Sequence, residues 1–95
     1  MKNHEVRIAQ AGIANHGRTI LNAIRASGNL KLVACFDIQA AANEGVAKEF
    51  DAHPTSSFEE LVHNPDVDAI ALVTPNHLHA AQLRTAAAAG KHVFV

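Results

Sequence analysis

The strongest constraint on this chain is the alternation of short apolar runs with helical stripes, with almost no linker between them. Val6 to Ala11 reads as a strand running into Gly12. Asn15 to Ser27 carries Ile20, Leu21 and Ile24 at helical spacing, and Gly28 suits the left-handed position that closes a helix. Leu30 to Phe36 is a second strand, halted by Asp37. Ala40 to Phe50 is a second helix with Val46 and Phe50 one turn apart. Gly45 weakens it by about 1 kcal/mol relative to alanine. His53-Pro54-Thr55 makes at best a short edge strand, because proline donates no ladder hydrogen bond. Ser57 with Glu60 forms a capping-box pattern that opens a short helix through Leu61 and Val62, broken at Asn64-Pro65-Asp66. Asp68 to Val73 is the fourth strand. Asn76 reads as the N-cap of a helix through Ala89, with Gly90 as its stop, and His92 to Val95 begins a fifth strand.

Strands and helices at this spacing imply parallel strands joined by crossover helices. The near-continuous apolar character of the second and fourth strands implies cover on both faces. Right-handed crossovers then leave few topologies. The expected architecture is α/β, a doubly wound parallel (Rossmann) sheet in spatial order 3-2-1-4-5, truncated after the fifth strand.

Composition agrees with one small domain over residues 1–95, 48% hydrophobic and 18% charged. A formal net charge of −1 provides no basic field for nucleic acid or for an anionic membrane surface. The single cysteine, Cys35, excludes a disulfide within the chain and suits a reducing compartment. Met1 to Val6 has neither a secretory nor a transit pattern, and no run approaches the ~18 apolar residues of a membrane helix. The expected location is cytoplasmic.

Three stretches carry chemistry. The first strand enters Gly12-Ile13-Ala14-Asn15-His16-Gly17 with a helical pattern directly behind it. This is G-x-G-x-x-G with its middle glycine replaced by alanine. Such a turn needs a tight bend at Gly12, close backbone approach to a pyrophosphate at Ala14, and close helix–strand packing at Gly17. Free N–H groups of the first helical turn then face the phosphates. Two glycines also serve an ordinary strand-to-helix turn, and the motif alone does not separate the two uses. His16, inside the turn, either helps neutralise a pyrophosphate or faces solvent.

Asp37 closes the second strand about 20 residues beyond Gly17, where a dinucleotide site needs an acid for the adenosine ribose hydroxyls. A carboxylate there repels a 2′-phosphate, and Ile38-Gln39-Ala40 brings no cation to offset it. NAD is therefore favoured over NADP, although a solvated acid at a strand end has the same spacing.

Thr74-Pro75-Asn76-His77-Leu78-His79 follows the fourth strand. In a doubly wound sheet, ligands lie beyond the carboxyl ends of the strands, where the first and fourth diverge. Asn76 and His79 offer polar groups to a nicotinamide ribose or a substrate; the plainer reading has Asn76 capping the helix and His79 merely exposed in its first turn, and capping is compatible with ligand contact. His77 and His79 lie two apart, on different faces of a helix, and no Cys or carboxylate cluster completes a metal set.

With these stretches, the chain resembles the N-terminal domain of the Gfo/Idh/MocA oxidoreductases. The resemblance spans Val-Arg-Ile-Ala and the glycine turn at 6–17, Leu-Val-Ala-Cys-Phe-Asp at 32–37, and Phe-Glu-Glu-Leu at 58–61. It continues through Asp-Val-Asp-Ala at 66–69, Thr-Pro-Asn-His-Leu-His at 74–79 and Ala-Gly-Lys-His-Val at 89–93. The last three are more specific than the glycine motif. The resemblance implies a Rossmann domain binding NAD or NADP, followed in the family by a substrate domain that also forms the oligomer interface. It implies oxidation of a sugar, cyclitol or related hydroxyl with hydride passing to nicotinamide.

By matching position, Gly12, Ile13, Ala14, Asn15 and Gly17 would form the pyrophosphate turn. Asp37 with Ile38 would form the adenosine-ribose end, and Thr74, Pro75, Asn76 and His79 the nicotinamide side. Ala14 departs from the family glycine, and its methyl group would push the pyrophosphate outward. The family continues with Glu-Lys-Pro, whose lysine assists proton transfer; here the sequence stops at Val95, so no catalytic residue is assigned. The expectation is the cofactor domain of a sugar or polyol oxidoreductase, inactive alone. The alternative is a stand-alone, non-catalytic dinucleotide-binding module, or one that self-associates through an exposed fifth-strand edge or the surface a second domain would cover.

Overall fold

Residues 5–14 and 16–95 are described by a computed structural model. Nine elements alternate along the chain: β1 (Val6–Ala11), α1 (Gly17–Ala26), β2 (Leu30–Phe36), α2 (Ala40–Phe50), β3 (His53–Pro54), α3 (Phe58–Val62), β4 (Ala69–Leu72), α4 (Asn76–Ala88) and β5 (His92–Phe94). The five strands form one sheet in order β3-β2-β1-β4-β5, and every pairing is parallel. This is the Rossmann-like arrangement expected from the alternation.

The period-2 pattern of the strands sends side chains to two separate cores. Ile8, Leu32 and Cys35 meet Leu21 and Ile24 of α1 and Val46 of α2 on one face. Ala9, Ala11, Ala34 and Ile70 meet Phe58, Leu61 and Val62 of α3 and Ala86 of α4 on the other. Leu21, Leu61 and Ile70 are fully buried, each worth roughly 1.5–3 kcal/mol of transfer free energy. The alanine-rich end of α4 packs close to the sheet because Ala86 has no side chain beyond Cβ.

Strand β2 contains a bulge. Ile8 pairs with Leu32 but Ala9 with Ala34, so Val33 is an extra residue. Leu32 and Cys35, three apart, therefore share a face, while Val33 and Ala34 both contact the opposite core. Parallel bulges are uncommon, and this one resets the phase of the strand four residues before Asp37.

Several local expectations are corrected. Helix α1 begins at Gly17 rather than Asn15, and Asn15 lies outside the described residues. Gly28 is not left-handed; α1 closes on an extended Ser27 whose N–H returns to Ala23 and Ile24. The left-handed closure occurs instead at Asp51, after α2, with φ 54°. Gly90 does adopt the expected positive φ. Asn76 is the first helical residue of α4 and does not cap it: Pro75, with extended ψ, takes the cap position, and its carbonyl accepts the Leu78 N–H. Ser57 Oγ accepts the Glu60 N–H at 3.0 Å, a cap worth about 1 kcal/mol. The Glu60 carboxylate returns one residue earlier than a capping box requires, accepting from the N–H and hydroxyl of Ser56. Strand β4 is shorter than Asp68 to Val73, and β5 stops at Phe94. Asp68 instead receives the Arg7 backbone N–H and its guanidinium. Among the described residues, no helix is long and apolar enough to cross a membrane.

Candidate functional site: a slot at the sheet switch point

The chain reverses its winding direction between β1 and β4, and two loops meet there. Gly12 has φ 95°, and a Cβ on it would lie 2.5 Å from the Val73 carbonyl oxygen. Only glycine fits, on both counts. Its N–H donates to Phe36 O, and Val73 N–H donates to Ala11 O, so the turn is laced to the ends of β2 and β4 at once. A Cβ on Gly17 would lie 2.7 Å from the Gly12 carbonyl oxygen, which explains the second glycine as close packing of α1 onto the turn.

Between the turn and the loop after β4 lies a slot of about 540 Å³. Gly12, Ala14 and His16 form one wall, and Thr74, Pro75, Asn76 and His77 the facing one. Asp37 and Ile38 close the β2 end. Ile38 is 88% exposed beside it and Leu78 39%, so two apolar side chains stand open on a slot whose lining is mainly apolar. A planar ring could lie against them without stranding hydrogen bonds.

Asp37 is the electrostatic centre. One carboxylate oxygen accepts the N–H groups of Ile13 at 2.7 Å and Ala14 at 3.0 Å; the other accepts that of Gln39 at 2.7 Å. Partial burial pushes this carboxyl up, but the amides of Gln39, Ala14 and Ile13 together outweigh it and hold the group below its usual range. The two turn amides assigned from sequence to a pyrophosphate therefore face the acid assigned to the ribose. A carboxylate has about four lone-pair sites, and three are taken.

Of the remaining residues singled out from sequence, Ile13 sends its side chain into the core and Gly17 is buried at the start of α1. His79 is not among the slot-lining residues: it lies two positions beyond His77, past half a helical turn, and its Nε2 is buried without a partner among the described residues. The slot wall instead includes His77, Leu78 and Gln82, which the sequence reading passed over as site residues. Leu78 and Gln82 are one turn apart, a spacing that would have revealed their shared face. The Thr74 hydroxyl donates to Gln82 Oε1, fixing the loop to α4.

Fold and slot together define a dinucleotide-binding domain of the Rossmann type. The chain belongs to the Gfo/Idh/MocA oxidoreductases: the family described as an oxidoreductase family with an NAD-binding Rossmann fold matches residues 6–95. Inositol 2-dehydrogenase of Agrobacterium fabrum is 34% identical over 92 residues, covering 94% of this chain and 27% of that protein. The crystal structure of scyllo-inositol dehydrogenase from Lactobacillus casei with bound NAD(H) and scyllo-inositol superposes with a TM-score of 0.86 at 27% identity, over 94% of this chain and 27% of that one. A 3-ketoreductase from Actinomadura kijaniata, in complex with NADP and TDP-benzene, gives 0.88 at 26% identity, over 95% and 28%. The chain spans about a quarter of the length of the curated relatives it matches.

Proposed function

We propose that this chain is the cofactor-binding domain of an oxidoreductase that moves hydride between a nicotinamide and a sugar or polyol hydroxyl, the substrate domain lying elsewhere in the enzyme. One observation carries the reading: the Gly12 turn and the 74–77 loop form opposite walls of one slot, in van der Waals register through the Gly12–Val73 contact. The residues fit a dinucleotide. Gly12 lets the turn pack directly on the Val73 backbone, Asp37 keeps about one open acceptor site at the β2 end, and Ile38 and Leu78 offer apolar surface.

In this reading Gly12, Ile13, Ala14 and Gly17 hold the pyrophosphate, with Asn15 assigned beside them by position alone. Asp37 and Ile38 hold the adenosine ribose. Thr74, Pro75 and Asn76 flank the nicotinamide side, with His77 on the wall where His79 was expected. A bound nicotinamide supplies the hydride acceptor or donor; the chain binds and orients it. None of the residues of this domain is assigned to proton transfer.

Asp37 favours NAD over NADP because a 2′-phosphate would meet a carboxylate held in its ionised form. With about one acceptor site left, binding both ribose hydroxyls requires it to release a turn amide, which then becomes free for a phosphate oxygen. Titration with NADH and NADPH, followed by nicotinamide fluorescence, tests this reading. Saturable binding with NADH tighter is expected; no binding of either nucleotide overturns it.

A second reading rests on the sheet edge. Phe94 and Val95 are 57% and 75% exposed beside the side of β5 that has no strand partner among the described residues. Pairing of that edge with a second copy would bury them, giving a self-associating module.

A further inference from the structure

Gln10 is the last residue but one of β1, opposite Cys35 of β2 and Ala71 of β4. Its strand neighbours Ile8, Ala9 and Ala11 are buried and apolar, and Gln10 itself is 0% exposed. A buried amide is costly unless its polar atoms are paired. Here Nε2 donates to the Gly12 carbonyl at 2.9 Å and to the Gly17 carbonyl at 3.0 Å, while Oε1 has no partner among the described residues. Leucine or methionine would fill similar space without stranding an acceptor, so packing does not account for this residue.

We propose that Gln10 is a positioning residue that fixes the aim of the turn's amides toward a pyrophosphate, an assignment that rests on reading the slot as a dinucleotide site. The reason is the planarity of the peptide unit. In a trans peptide the carbonyl of one residue and the N–H of the next point in opposite directions. Gln10 draws the Gly12 carbonyl down toward the core, so the Ile13 N–H is turned up to the slot, where it meets the Asp37 carboxylate at 2.7 Å. The second bond ties the same side chain to the first residue of α1. Gly17 can carry no side chain there, because its Cβ would lie 2.7 Å from the Gly12 oxygen and 3.0 Å from Gln10 Nε2. Asp37 holds the turn from the slot side and can be displaced by ligand. Gln10 holds it from beneath and cannot.

The test compares the unmodified protein with Gln10→Leu, Gln10→Met and Gln10→Glu, titrated calorimetrically with NADH, ADP and adenosine. Gln10→Leu should weaken NADH and ADP about tenfold or more and leave adenosine within about twofold, because only the first two present a pyrophosphate. Gln10→Glu, able to donate once when its buried carboxyl is protonated, should recover part of the ADP affinity at pH 6 relative to pH 9, measured against the unmodified protein. Gln10→Leu should show no such recovery. Amide hydrogen exchange without ligand should rise at Ile13 in Gln10→Leu or Gln10→Met while the β1 amides hold.

Equal losses for all three ligands, or unchanged ADP affinity with unchanged exchange at Ile13, overturn the assignment. If Gln10→Leu fails to fold, the methionine and glutamate variants carry the same comparisons. Failure of the unmodified protein to bind NADH and ADP would instead remove the functional reading, and this proposal with it.

Discussion

The Asp37 carboxylate accepts the backbone N–H of Ile13 at 2.7 Å, so the acid at the end of β2 and the turn at the end of β1 are one hydrogen-bonded unit. That contact gives Asp37 two separable roles, in selecting the ribose and in holding the turn.

Replacing Asp37 with alanine should therefore do two things. The preference for NADH over NADPH should narrow by about tenfold, since a hydrogen bond to a charged group is worth roughly 1.5–3 kcal/mol. Thermal stability should fall as well, because three amides lose their acceptor. Paired titrations and melting curves read both effects. Tighter binding of NADPH by the unmodified protein would refute the ribose assignment.

Gly12→Ala should be far more damaging than its size suggests. A φ of 95° is strained for alanine, at roughly 1–3 kcal/mol. The new methyl would also sit 2.5 Å from the Val73 oxygen, forcing the two walls of the slot apart. Denaturant unfolding should show the loss, together with loss of NADH binding. A variant as stable as the parent would mean the turn is built differently.

Ala14→Gly should tighten NADH binding a few-fold by removing a methyl group from the wall where the backbone meets the pyrophosphate. Unchanged affinity would show that the methyl points clear of the ligand.

Stability should fall off at both ends of the pH scale. Glu49 beside Arg18 and Arg25, and Glu60 receiving the N–H and hydroxyl of Ser56, are each depressed to about 2. Their contribution is present above the ordinary value of 4.5 and is lost as pH falls toward 2; both are exposed, so salt should weaken it. Asp37 and Asp68, also depressed, act in the same direction. Burial, reinforced by the charge of Asp37, raises the Cys35 thiol to about 11. Its contribution is full below 9.0 and is lost as pH rises through 11. A thiol reagent at pH 8 should leave Cys35 unmodified until the protein unfolds; rapid labelling of native protein would contradict its burial.

Association through β5 should appear in light scattering as a mass that rises with concentration, and Phe94→Lys should abolish the rise. A strictly monomeric protein at high concentration removes the edge-pairing reading.

The sheet order was legible because it follows from period, length and handedness alone, and the bounds of β1, β2 and α2 follow from abrupt changes of pattern at Gly12, Asp37 and Asp51. The helix ends were less legible. Gly28 and Asp51 exchanged the expected left-handed closure because a helix end is set by which backbone groups find partners, not by residue type alone. Spacing brought Asp37 near the turn without revealing that the turn's own amides would claim it. Gln10 was passed over inside an apolar strand, because its partners are carbonyls, which no side-chain motif encodes.

The extra residue at Val33 can be lost without consequence at the far end of its strand. Deleting it would leave Leu32 opposite Ile8 and Ala34 opposite Ala9, now in unbroken alternation, so every side chain from Ala34 onward keeps its face and Asp37 keeps its place beside the turn. The strand thus carries one residue of slack: deleting Val33, remote from any ligand, should leave the grip of Asp37 on the turn and the preference for NADH in place.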